Sequence, residues 1–178
     1  MNGSSDRYAV LLRGVNVGGV TVKMADLRST LERSELQDVR TLLASGNAVV
    51  TTQQDSADLK QTVEQALRED FGYEARVIVL TVGRVAELAA AVPYAADDPA
   101  VHAYVTFSTN PDALEELLAI GEAAGQEQVR LGPEAMAWTA EKGATLDSEL
   151  SKATAKPRFK STTTTRNLRT LHKITAAG

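Results

Sequence analysis

At 178 residues the chain is long enough for one domain or two small ones, and 43% hydrophobic with 24% charged residues places it among globular proteins. No apolar run approaches the roughly 20 residues that cross a bilayer, so no membrane association is expected. Cysteine is absent, which excludes disulfides, thiolate metal sites and cysteine nucleophiles. The opening stretch MNGSSDRYAVLLRG carries no cleavable signal pattern, so the expected compartment is the cytoplasm.

The net charge of −4 is unevenly spread. Residues 1–50 hold six basic and five acidic side chains, residues 51–149 six against eighteen, and residues 150–178 seven against none. A basic end on an acidic middle can bind an anion, or it can lie against the acidic part of its own chain.

In chain order, Arg7–Arg13 contains a short apolar run suited to a buried strand. After a glycine-containing loop, Met24, Leu27 and Leu31 recur at helical spacing. Val39–Leu43 and Asn47–Thr51 read as strands joined by a hairpin at Ser45-Gly46. Leu59, Val63, Leu67 and Phe71 mark a second helix, with Asp55 or Ser56 as N-cap and Gly72 as stop. Arg76–Leu80 is a fourth strand. This order, β-α-β-β-α-β, is the split βαβ of ferredoxin-like folds, with two helices on one sheet face.

The second half begins with an alanine-rich helix over Val82–Val92, followed by a linker over Tyr94–Ala100. His102–Phe107 alternates as a strand, Asn110-Pro111 opens a helix, and Gln128–Leu131 and Ala135–Thr139 flank a turn at Gly132-Pro133. Lys152–Thr165, polar, basic and low in complexity, reads as a surface loop. Arg166–Ala176 carries Leu168, Leu171 and Ile174 on one stripe, a short docking helix with Thr164 or Thr165 as N-cap. The expected architecture is therefore α+β in two lobes. A ferredoxin-like lobe spans 1–81, and a related β-α-β-β lobe with a basic tail and terminal helix spans 82–178.

The segment with most chemical promise is Arg13-Gly14-Val15-Asn16-Val17-Gly18-Gly19, followed by Lys23 at a helix start. Glycines after a strand let backbone N–H groups face a ligand, and a helix N-terminus attracts anions. The spacing fits neither the dinucleotide fingerprint nor a phosphate loop, and a turn that needs glycine for backbone geometry explains it equally well. In a split βαβ fold the first two strands are parallel with one strand between them. Their following loops, one carrying Arg13 and the other Ser45-Gly46-Asn47, would then start roughly 10 Å apart.

Tyr8-Ala-Val-Leu-Leu-Arg-Gly-Val-Asn-Val-Gly-Gly19, Val22-Lys-Met-Ala-Asp-Leu-Arg28, Ser45-Gly-Asn47 and Thr164-Thr-Arg-Asn167 together resemble the bacterial family called domain of unknown function 1697. The resemblance implies a cytoplasmic protein of two α+β subdomains and brings no activity, substrate or cofactor. Its signature positions are Arg13, Gly14, Asn16, Gly18, Gly19, Lys23, Ser45, Gly46, Asn47, Arg166 and Asn167. The chain departs from the family pattern at Ser148-Glu149-Leu150, where Ser-Lys-Leu is usual, and at Leu168, where Trp is usual.

From these positions the expectation is an anion site in which Arg166 and Asn167, at the start of the last helix, fold back toward the Arg13 loop. The alternative for Arg166 is an ion pair with the acidic body. His102 and His172 have no metal-ligand spacing, and no motif calls for a cofactor. Three functions remain open: binding of a phosphorylated or otherwise anionic small molecule, nucleic-acid binding through the basic C-terminal segment, and a protein-interaction role for the last helix. Few aromatic residues and an acidic middle weigh against nucleic acid.

Overall fold

A computed structural model of the protein describes residues 5–16 and 20–178. Chain contacts divide it into two units, residues 1–86 with 172–178, and residues 87–171.

The first unit contains β1 (Asp6–Leu12), α1 (Met24–Arg33), β2 (Gln37–Leu42), β3 (Asn47–Thr52), α2 (Ser56–Phe71) and β4 (Val77–Thr81). Its sheet order is β2-β3-β1-β4, every neighbouring pair antiparallel, so β1 and β2 are parallel with β3 between them. This is the ferredoxin-like order expected from the sequence. The period-four stripe of α2 supplies Leu59, Val63 and Leu67, and α1 supplies Leu27 and Leu31; they pack with Tyr8, Val10, Leu12 and Val50 of the sheet. Asp55 accepts from the N–H groups of Ala57 and Asp58, capping α2, and Gly72 ends it at a left-handed φ of 66°. At the edge, β2 shifts register between Gln37 and Arg40, and Asp38 within the shift has φ 46°. Such a bulge interrupts an otherwise open strand edge.

The second unit contains β5 (Val101–Ser108), α4 (Pro111–Ala123), β6 (Gln128–Gly132), β7 (Ala135–Glu141), α5 (Glu149–Thr154), α6 (Pro157–Lys160) and β8 (Thr163–Asn167). The β-α-β-β unit is present, with Asn110 capping α4 by accepting from the N–H of Asp112. The stretch 152–165, however, is not a surface loop. It holds the second half of α5, all of α6 and the start of β8, which pairs with β5 and completes a sheet of order β6-β7-β5-β8. The two units thus share one strand order.

Two features outweigh the polar composition of that stretch. Leu150, Ala153 and Phe159 are buried in one cluster with Leu114, Leu117 and Trp138. The threonine run is β-branched and suits a strand, and its hydroxyls find partners there: Thr165 and Thr106 hydroxyls lie 2.8 Å apart, and Trp138 Nε1 donates to Thr106 Oγ1 at 2.9 Å. The last helix also starts later than expected. Arg166 and Asn167 lie in β8, and Asn167 rather than Thr164 or Thr165 accepts from the N–H of Arg169.

Two further helices, α3 (Val82–Ala91) and α7 (Leu168–Ala177), are cut by the division, so the last turns of α7 belong to the first unit. There Arg7 acts as their clasp. Its Nη2 donates to Ala177 O at 2.9 Å, while Nη1 donates to Asp38 O at 2.9 Å and Thr51 Oγ1 at 2.8 Å. A cation at a helix C-terminus also complements the helix dipole.

Candidate anion site of the first unit

β1 ends at Leu12, and the chain turns at Gly14, whose φ is 68°. Because β1 and β2 are parallel, the turn after β1 and the hairpin after β2 lie side by side. They touch directly: Asn16 Nδ2 donates to Ala44 O at 2.7 Å and to Val22 O at 3.1 Å, and Asn16 Oδ1 accepts from Val22 N at 2.9 Å. Asn16 takes a left-handed φ of 56°, which asparagine tolerates better than most residues. Both amide hydrogens are used within the chain, so this side chain ties the loop, the approach to α1 and the hairpin together. Asn16→Ala is expected to destabilise the first unit by about 1–2 kcal/mol, since it removes three hydrogen bonds to exposed or partly buried backbone groups; the loss should appear as faster hydrogen exchange at Val22 and in the β2–β3 hairpin.

The hairpin has a similar internal logic. Gly46 has φ 84°, and Leu12 N donates to Gly46 O at 2.8 Å. Buried Asn47 donates through Nδ2 to Leu42 O and to Ser45 Oγ, both at 2.9 Å. Gly18 and Gly19 lie outside the described residues.

Charge gathers one position beyond β1. Arg13 N donates to Arg76 O at 3.2 Å, so the two arginines face each other across the end of the β1–β4 ladder. Arg13 is half-buried and Arg76 exposed. Burial pushes the Arg13 guanidinium below its usual range, the charge of Arg76 pushes it the same way, and Glu64 opposes them. Glu64 is itself engaged, accepting from Lys60 Nζ and, at 3.0 Å, from Val77 N. Lys60 and Arg13 thus share the field of one carboxylate. Arg76 was not among the sequence candidates, yet the register could have shown it: with β4 antiparallel to β1, the residue before Val77 must face the one after Leu12.

Lys23 is the N-cap residue of α1, exposed and without a side-chain capping bond. It lines a different feature, a groove of about 540 Å³ with Asp26, Thr30, Arg33 and Asp70. There the charges cancel. Asp70 accepts from Thr30 Oγ1 at 2.6 Å and from Arg33, and these contacts, Thr30 first, hold its carboxyl below the usual range.

Arg166 and Asn167 belong to the second unit. The Arg166 guanidinium is buried and donates to Thr164 Oγ1 at 2.6 Å and Thr165 O at 3.0 Å; burial lowers it to about 10. Other basic residues of the C-terminal segment are also engaged within this unit. Arg158 pairs with Glu116, Lys152 with Glu149 at 3.2 Å, and Arg169 Nε donates to Ala96 O at 2.8 Å. Arg158 and Lys152 are thus neutralised by carboxylates of the same unit. Among the described residues no cluster of three His, Asp or Glu side chains could hold a metal ion, and no helix is long and apolar enough to cross a membrane.

Comparison with known proteins agrees with the family resemblance. The family model described as "Protein of unknown function (DUF1697)" matches residues 6–136, which include β1 with its loop, the hairpin and the whole first sheet. The chain belongs to this family. A DUF1697 assignment carries a shared fold and no activity. The conserved bacterial protein SP0830 from Streptococcus pneumoniae is 23% identical over 98% of this chain and 99% of its own, with a TM-score of 0.76, which supports the two-sheet α+β fold. An unknown protein from Galdieria sulphuraria, 13% identical over 92% of this chain and 99% of its own, has a TM-score of only 0.28, too low to bear on the fold. No curated protein matches the chain.

Proposed function

We propose that the first unit binds a phosphorylated or otherwise anionic small molecule at the end of β1. The observation that carries this reading is the Arg13–Arg76 pair. The strand register pairs the two residues, and the charge of Arg76 adds to burial in disfavouring that of the half-buried Arg13 guanidinium. A ligand anion relieves that repulsion, and arginine forks suit phosphate or carboxylate oxygens. The Asn16 and Ser45-Gly46-Asn47 contacts serve this site indirectly by fixing the loop that carries Arg13. Nucleic-acid binding through the C-terminal segment is less favoured, because several of its cations already have partners within the chain.

The test is a thermal-shift panel of nucleotides, sugar phosphates and carboxylates on wild type, Arg13→Ala and Arg76→Ala, at low and moderate salt. A ligand at a hundred times its Kd adds about 2.7 kcal/mol and raises the midpoint of a chain this size by about 5–10 °C. The expected result is a salt-tolerant shift that both substitutions abolish. A shift undiminished in either variant, or none across the panel, removes the reading.

A further inference from the structure

A second basic feature of the first unit centres on Arg40 and Lys173, which lie outside the sequence motifs. Arg28 of α1, Arg40 and Leu42 of β2, and Lys173 and Ala176 of α7 line an open groove of about 530 Å³ along the β2 edge. Three of these residues are cations, and no carboxylate belongs to the lining. Arg28 is paired with Glu32 at 2.8 Å, but Arg40 and Lys173 are exposed, and neither side chain has an ion-pair or hydrogen-bond partner among the described residues. In a chain whose net charge is −4, unneutralised cations facing one groove are a local reversal of the prevailing field.

The fold creates this juxtaposition. Val39 is in the core and Thr41 Oγ1 donates to Met24 O at the start of α1, so strand alternation turns Arg40 and Leu42 to the opposite face of β2. Arg7 brings the end of α7 to the same unit by donating to Ala177 O. Arg7 itself is held below its usual range by burial first and by the charge of Arg40 second, with Asp38 opposing. The groove therefore offers two charge-bearing donors above an aliphatic surface, the combination that suits a ligand with an anionic head and an organic body.

We propose that this edge groove binds a small phosphate ester, with Arg40 and Lys173 taking the phosphate oxygens and the Leu42 and Ala176 surface taking the organic part. A strand-adding peptide fits less well, because the register shift between Gln37 and Arg40 interrupts the edge it would pair with. A nucleic-acid strand is also less suited, since the groove volume is that of a single small ligand and the chain as a whole repels polyanions.

The test uses the whole 15N-labelled protein, titrated at constant ionic strength with inorganic phosphate and then with adenosine monophosphate, and follows the amide signals of Thr41, Leu42, Lys173 and Ala176. Saturable shifts are expected at these residues, with the ester binding more tightly than phosphate. Arg40→Gln with Lys173→Gln should weaken binding about tenfold or more, the loss of two charge-assisted contacts. Both residues are exposed and without partners among the described residues, so this variant should melt like wild type. Arg13→Ala should leave the titration unchanged, which separates this groove from the site at the end of β1. Shifts that chloride reproduces, that persist in the double variant, or that a short RNA induces more tightly with steep salt dependence would each overturn the proposal.

Discussion

Gly46→Ala is expected to destabilise the first unit by about 2–5 kcal/mol, one of the largest losses available from adding a single methyl group. Two costs combine. A left-handed φ of 84° disfavours any L side chain by about 1–2 kcal/mol. The new Cβ would also stand 2.7 Å from Val15 Cγ2 and 2.9 Å from Leu12 Cβ. Leu12 Cβ is fixed by the β1 backbone, so it cannot swing aside, and overpacking of this kind costs about 1–3 kcal/mol. Gly14→Ala is the natural control. Gly14 has φ 68°, yet a Cβ there would meet nothing within 4 Å, so only the conformational cost applies. Hydrogen exchange of Val10, Val49 and Val50 measures both variants in the affected sheet. Equal losses in the two would mean that the hairpin does not approach β1 as closely as described.

Phe159→Ala should weaken the second unit by about 3–5 kcal/mol, the usual cost of emptying a buried aromatic site. Phe159 is 2% exposed and packs in the cluster of Trp138, Leu114 and Leu150. The neighbouring Lys160→Ala, at an exposed position, should stay within about 0.5 kcal/mol of wild type. The contrast is sharp because a solvated loop over 152–165 would make both substitutions neutral. Denaturant unfolding, together with exchange at the β5 amides Val105 and Phe107, reads the difference. A neutral Phe159→Ala would return this segment to the surface.

These two expectations also mark where the residues were informative and where they were not. The first unit was legible almost throughout, because its signals are local. Period-four apolar spacing, the Asp55 cap and the Gly72 stop each act within a few residues, and the order they define leaves β1 and β2 parallel. That alone placed the Arg13 loop beside the Ser45-Gly46-Asn47 hairpin, where Asn16 bonds to Ala44. The reason for this juxtaposition was less visible: these motif residues hold the loop together, and the polar atoms of Asn16 face the chain itself.

What the sequence determined alone, then, was an α+β fold with a ferredoxin-like first unit and the position of its main loop cluster. Tertiary structure decided the rest, because the decisive partners are distant along the chain. The threonines of β8 look solvated until their strand pairs with β5, where Thr165 meets Thr106 and Trp138 donates to the same hydroxyl. Arg166 reads as a basic side chain at a helix start until that pairing buries it. Arg13 becomes half of a cation pair only through the β1–β4 register. Arg40 and Lys173 share a groove because Arg7 holds the end of the last helix against the first sheet. Local propensity acts over a turn or two of chain, whereas burial and charge act through space, and only the folded chain sets those distances.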